Sequence, residues 1–132
     1  MEDKYSSKII ANDNEGLQMI SACCAGAEVK VADIKYLQEN KVFLLSLKRT
    51  KVETKNEKKT INSICKFEFV DGVKSKNIKQ KNLDQKLELI TISQLKKIEN
   101  FEINLIFNNN AYITLSTEII EVTLDDLNKI AQ

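Results

Sequence analysis

Apolar residues fall at two different periods along this chain, and each change of period marks a change of element. Leu17, Ile20, Cys24 and Ala27 recur at helical spacing, so residues 14–26 should bury one face. Asn12 or Asp13 stands where a cap belongs, Glu15 follows Asn12 by three, and Gly26 is a stop signal. Before the helix, residues 8–11 read as a short strand, and residues 1–7 are expected to be flexible. Residues 28–37 alternate with period two, but the phase slips. Val29 and Val31 share one face while Ile34 and Tyr36 share the other, which predicts a bulge near Ala32 and Asp33.

Residues 38–41 are short and polar, so the next strand should return antiparallel. Residues 42–47 are apolar on both faces, the mark of a central strand. Residues 50–60 read as a charged loop. Alternation resumes over 61–70, and Asp71-Gly72 before Val73 is a two-residue hairpin signal. A polar, basic stretch over 74–84 precedes a strand at 87–92. Strands at 101–107 and 112–115 pair across Asn108, Asn109 and Asn110. Ile120, Leu124, Leu127 and Ala131 then suggest a closing helix capped by Ser116 or Thr117.

Strands that follow one another as hairpins, with no helices between them, disfavour a parallel sheet. The expected architecture is a single α+β domain over residues 1–132: a curved antiparallel sheet or small barrel with an N-terminal and a C-terminal helix. The element order is reminiscent of pleckstrin-homology-like barrels.

Composition narrows the chemistry. Among 132 residues there is no histidine, which removes the commonest general base near neutral pH and the commonest metal ligand. The three cysteines lack CxxC spacing, so no metal site and no cofactor are expected. They read as buried, inert thiols, with a Cys24–Cys65 bridge or a reactive thiol as the alternatives. The three glycines are isolated and form no phosphate loop. No apolar run approaches the roughly 20 residues of a membrane span, and residues 1–10 lack the pattern of a signal peptide. The expected setting is cytoplasmic.

Charge is unevenly spread. Twelve basic residues stand against four acidic ones between residues 41 and 81, while the whole chain carries only +1. Lys48, Arg49, Lys51, Lys55, Lys58 and Lys59, with the 74–82 segment, outline a basic edge suited to a small anion or nucleic acid. A genome rich in A and T would produce the same lysines without selecting for function. Arg49 is the sole arginine; its planar fork would hold an external anion or a structural acid equally well. Asp33 is expected to accept backbone hydrogen bonds at the bulge. Asp125–Asp126 and Glu118–Glu121 read as solvated surface pairs rather than acid–base catalysts.

Ile20-Ser21-Ala22, Val29-Lys30-Val31-Ala32-Asp33, Tyr36-Leu37, Leu47, Arg49 and Glu53 together resemble an alphaproteobacterial family catalogued as domain of unknown function 2948. Val73-Lys74-Ser75, Ile78, Ile120-Glu121, Leu124, Asp126 and Leu127 extend the resemblance over nearly the whole chain. Cys23 and Cys24 stand where relatives tend to have His and Leu. Arg49-Thr50-Lys51-Val52-Glu53 replaces an Arg-Phe-Asp-Trp-Glu run. The resemblance implies no activity. The leading expectation is a non-enzymatic module that binds a protein partner through its sheet edge or a groove beside a helix; a small-anion or nucleic-acid binder is the alternative.

Overall fold

A computed structural model describes residues 8–54 and 57–127. Strand β1 (Lys8–Ala11) leads into helix α1 (Asn14–Cys24), followed by β2 (Glu28–Lys30) and β3 (Ile34–Leu37). Long strands β4 (Val42–Thr54) and β5 (Glu57–Phe67) come next, then β6 (Val70–Lys76), β7 (Lys86–Lys96), β8 (Phe101–Phe107), β9 (Tyr112–Thr117) and β10 (Val122–Asp126). The strands form one antiparallel sheet in the order β1-β10-β5-β4-β2-β7-β8-β9-β6, with β3 beside β4.

Helix α1 starts where expected. Asp13 is the cap, its carboxylate accepting from the Gly16 N–H at 2.8 Å. Gly16 lets the helix start approach β1 closely, since a Cβ there would sit 3.0 Å from the Ala11 Cβ. Leu17, Ile20 and Cys24 are buried, and the Ser21 hydroxyl accepts from the Ile92 N–H at 2.9 Å. That bond anchors the helix beside the register shift of β7 between Leu89 and Thr91. Gly26, at φ +85°, then turns the chain into β2 through the left-handed region.

The phase slip near Ala32 is a full 3₁₀ turn, Val31–Asp33, rather than a bulge. It divides the expected strand between two duties. Val29 of β2 pairs with Leu87 of β7, and Glu28 also meets Lys48 of β4; Ile34 of β3 pairs with Leu45 of β4. Residues 38–40 form a second 3₁₀ turn, and Lys41, at φ 58°, completes the predicted antiparallel return.

Three expectations are corrected. Residues 50–54 and 57–60 are not a loop, because they belong to β4 and β5, with Thr50 opposite Thr60 and Val52 opposite Lys58; Lys55 and Asn56 lie outside the described residues. Backbone ladder bonds need no apolar face, and the β-branched Thr50, Val52, Thr54 and Thr60 suit a strand. Asp71-Gly72 does not close a hairpin. The chain turns earlier, with Phe69 at φ 59°, and β6 pairs with β9 instead, its register shifting between Val70 and Gly72. Finally, the expected C-terminal helix is a strand over residues 122–126, inserted between β1 and β5. Ile120, Val122, Leu124 and Asp126 are buried and alternate with Glu121, Thr123 and Asp125, a period of two that the Ile120–Leu124 spacing disguises. The pleckstrin-homology comparison therefore loses its closing element. Ala131 and residues 1–7 lie outside the described residues.

The core lies where the curled sheet meets α1. Phe43 and Phe67 pack edge to face, centroids 6.0 Å apart, with Tyr36 6.5 Å from Phe43. The sheet curls far enough for its last strand to touch its middle: Val70 N–H donates to Lys41 C=O at 2.8 Å, and Tyr36 O–H donates to Val70 C=O at 3.0 Å. It does not close. Among the described residues, no ladder joins β3 to β6.

Candidate functional site

Two polar or concave features stand out, and they sit in different parts of the sheet. The first surrounds Arg49. On β4 this residue shares the inward phase of Phe43, Leu45 and Leu47, so the alternation of the strand carries a guanidinium into the core. Arg49 Nη2 donates to Asp126 Oδ2 at 2.9 Å, and Nε donates to Asp126 Oδ1 at 3.1 Å and Ser63 Oγ at 3.2 Å. Ser63 donates its own proton to Asp126 Oδ1 at 2.6 Å. Nη1 reaches the Cys23 carbonyl at 3.4 Å, in the last turn of α1, where a cation also complements the helix dipole. Only 7% of the Arg49 side chain and 4% of the Asp126 side chain is exposed. Burial opposes the arginine's charge, but the hydrogen bond and charge of Asp126 outweigh it and raise its pKa. The cluster ties β4, β5, β10 and α1 together.

The expected basic edge is therefore divided. Lys48 lies on the outward face of β4 opposite Glu28, while its neighbour Arg49 points inward. Lys59 is exposed on β5 and pairs in register with Lys51, as Lys58 does with Val52. The side chains of Lys51 and Lys58 lie outside the described residues, as does Lys55 altogether. Lys74 and Lys76 belong to β6, whereas Lys79 and Lys81 lie in the segment from 77 to 85. Asp125 faces outward opposite Lys8, as a surface carboxylate should. Asp126 does not, and sequence reasoning missed it because a helix was expected there. Asp33 is exposed; the 3₁₀ turn is held instead by Val31 and Ala32 N–H groups donating to the carbonyls of Gln85 and Leu83.

The second feature is a half-open cleft of about 310 Å³ between β3 and β6. Ile34 and Tyr36 form one wall, Val73 and Ser75 the other, with Phe43 and Ile113 behind them. Ile78, Gln80 and Leu83 of the 77–85 segment also line it. That segment is well ordered by its own bonds: Asn82 N–H to Lys79 C=O at 2.9 Å, Gln85 N–H to Asn82 C=O at 3.0 Å, and Asn77 Nδ2 to Asn110 C=O at 2.8 Å. The polar groups facing the cleft are a phenol, a hydroxyl and an amide, and Gln80 Nε2 donates to Ser75 Oγ at 3.4 Å. A groove of similar volume on the outer face of β6, β8 and β9 is self-satisfied, with Lys97 3.2 Å from Glu102 and Asn100 bonded to Ser116. The Lys97 hydrogen bond holds the Glu102 carboxyl below its usual pKa.

Two of the three thiols, Cys24 and Cys65, are buried as expected, whereas Cys23 is half-buried. All three cysteines are free; burial pushes Cys24 up to about 12 and raises Cys65 well above the ordinary range. Among the described residues no three metal-ligating side chains gather, and no helix is long and apolar enough to cross a membrane. Residues 7–132 match the family model described as "Protein of unknown function (DUF2948)". No curated protein and no solved structure matches the chain.

Proposed function

Because this chain belongs to the DUF2948 family, whose function is unknown, we propose its role from geometry: a non-catalytic binding module that receives an apolar group in the cleft between β3 and β6. One observation carries the proposal. Two strand edges that face each other across a curled sheet are held apart, and the space between them is walled mainly by apolar side chains. Small-ligand sites are concave and mostly apolar, with volumes from about 300 Å³ upward. The cleft's polar groups favour binding over turnover, since the Tyr36 hydroxyl and the Ser75–Gln80 pair already bond within the protein. Arg49 belongs to a different part of the molecule, and its bonds to Asp126, Ser63 and Cys23 support a structural role for it.

The test uses octan-1-ol, an uncharged probe with an apolar chain. A ligand that binds only the folded state raises the unfolding midpoint with concentration. The midpoint should rise saturably for the parent protein and stay flat for Ser75→Trp, whose indole fills the cleft from an exposed strand position. No rise, or an equal rise in the variant, would remove the reading.

A further inference from the structure

Resting on that reading, we infer that the cleft's occupant is a small neutral molecule whose apolar body carries one carboxamide group, and that Ser75 and Gln80 hold that group. The lining sets the charge. No charged side chain lines the cleft, so an ionised group brought inside would lose water and gain no counter-charge. Exposure sets the orientation. Phe43 and Ile113 are buried, whereas Ser75 and Gln80 are exposed, so apolar surface lies deep and the hydroxyl and amide lie at the mouth. An occupant that matches this gradient has an apolar body and a polar, uncharged end.

The mouth specifies that end. Among the described residues, the Gln80–Ser75 bond is the only hydrogen bond of either side chain. The Ser75 proton and the Gln80 carbonyl oxygen remain, a donor and an acceptor on adjoining side chains. A carboxamide answers both: its carbonyl accepts from Ser75 Oγ and its N–H donates to Gln80 Oε1. A ketone lacks the proton that Gln80 would accept, and a carboxylate would set a charged oxygen against the Gln80 carbonyl. The backbone at both positions is fixed. Ser75 pairs with Ile113 across β6 and β9. Gln80 follows Lys79, whose N–H donates to Gln85 Oε1 at 3.1 Å and whose C=O accepts from the Asn82 N–H at 2.9 Å. A protein strand is the less suited source of the amide. Strand addition needs a row of free backbone groups, and at the cleft the N–H groups of Val31, Ala32 and Ile34 already donate to Gln85, Leu83 and Val31 carbonyls.

Calorimetric titration of the full chain with octanamide, octan-2-one and octanoate tests this. Octanamide should bind about fivefold tighter than octan-2-one, the gain expected from one further neutral hydrogen bond. It should bind about tenfold tighter than octanoate, whose charge finds no partner in the lining. In Gln80→Met the ratio of octanamide to octan-2-one affinity should fall to about one, because the acceptor for the amide proton is gone. Equal binding of octanamide and octan-2-one by the parent, a ratio that survives Gln80→Met, or octanoate binding tighter than octanamide would overturn the amide inference while leaving the apolar cleft intact. A capped tripeptide, N-acetyl-Ala-Leu-Ala amide, that binds tighter than octanamide would also overturn it, in favour of a protein partner. Failure of every probe, or unchanged binding by Ser75→Trp, would overturn the cleft reading itself.

Discussion

The Arg49 cluster and the β3–β6 cleft are both breaks in an otherwise apolar interior, yet they end in opposite states. Around Arg49 a buried charge meets an opposite charge, a hydroxyl and a helix-end carbonyl, all supplied by other elements of the same chain. At the cleft, two strand edges face each other without a ladder between them, and side chains line a space that the described residues do not fill. A residue with unusual chemistry is thus no guide to a binding site when its partners are already present. Unfilled apolar space is the more informative feature here.

The largest effect should come from breaking the cluster. Arg49→Met strips Asp126 of its guanidinium in a buried setting, a change expected to cost about 3–5 kcal/mol in urea unfolding. Arg49→Met/Asp126→Leu should recover more than half of that loss, because buried ion pairs are often replaceable by apolar groups of similar size. A variant as stable as the parent would show that the arginine holds nothing together. At the cleft, Tyr36→Phe removes the bond to the Val70 carbonyl and should cost about 1 kcal/mol.

Alkaline pH probes the interior beneath α1. An ordinary thiol titrates near 8.5, whereas Cys24 is pushed up to about 12 by burial. The folded state therefore keeps a proton that the unfolded chain releases. Stability should be level below about 8.5 and fall as pH rises toward 12. Alkylation at pH 8 should likewise spare Cys24 and Cys65 until the protein unfolds; rapid modification of either would contradict their burial. The smallest effect is expected from Ser75→Trp, within about 0.5 kcal/mol of the parent despite abolishing octan-1-ol binding. A large loss would mean that the position belongs to the core and not to a cleft.

Much of the sheet was legible because alternation is a local signal. The meander of β7, β8 and β9, the Asn-rich turn and the helix cap at Asp13 all follow from residues close in sequence. Even the break at Ala32 was visible as a phase slip, although nothing local distinguishes a bulge from a 3₁₀ turn. Misreadings arose where pairing is non-local. Ile120 and Leu124 fit a helix as well as a strand, and only insertion between β1 and β5 decides for the strand. That error hid the site chemistry as well, because a helical Asp126 looks solvated while a strand Asp126 faces Arg49, 77 residues earlier. Among the candidate binding residues, Arg49 and Lys48 stand adjacent in sequence, yet strand geometry sends them to opposite faces. The cleft had no sequence signature. Its walls come from segments as far apart in sequence as Val31 and Ile113, and each wall residue looks like an ordinary strand or loop position.

The most direct test maps amide chemical-shift changes on adding octan-1-ol to the labelled protein. The account predicts changes concentrated at residues 34–37, 73–76 and 77–85, with Arg49, Ser63 and Asp126 undisturbed. Changes centred instead on Lys48, Lys59 and the β4–β5 pair, or none at saturating octan-1-ol, would contradict it.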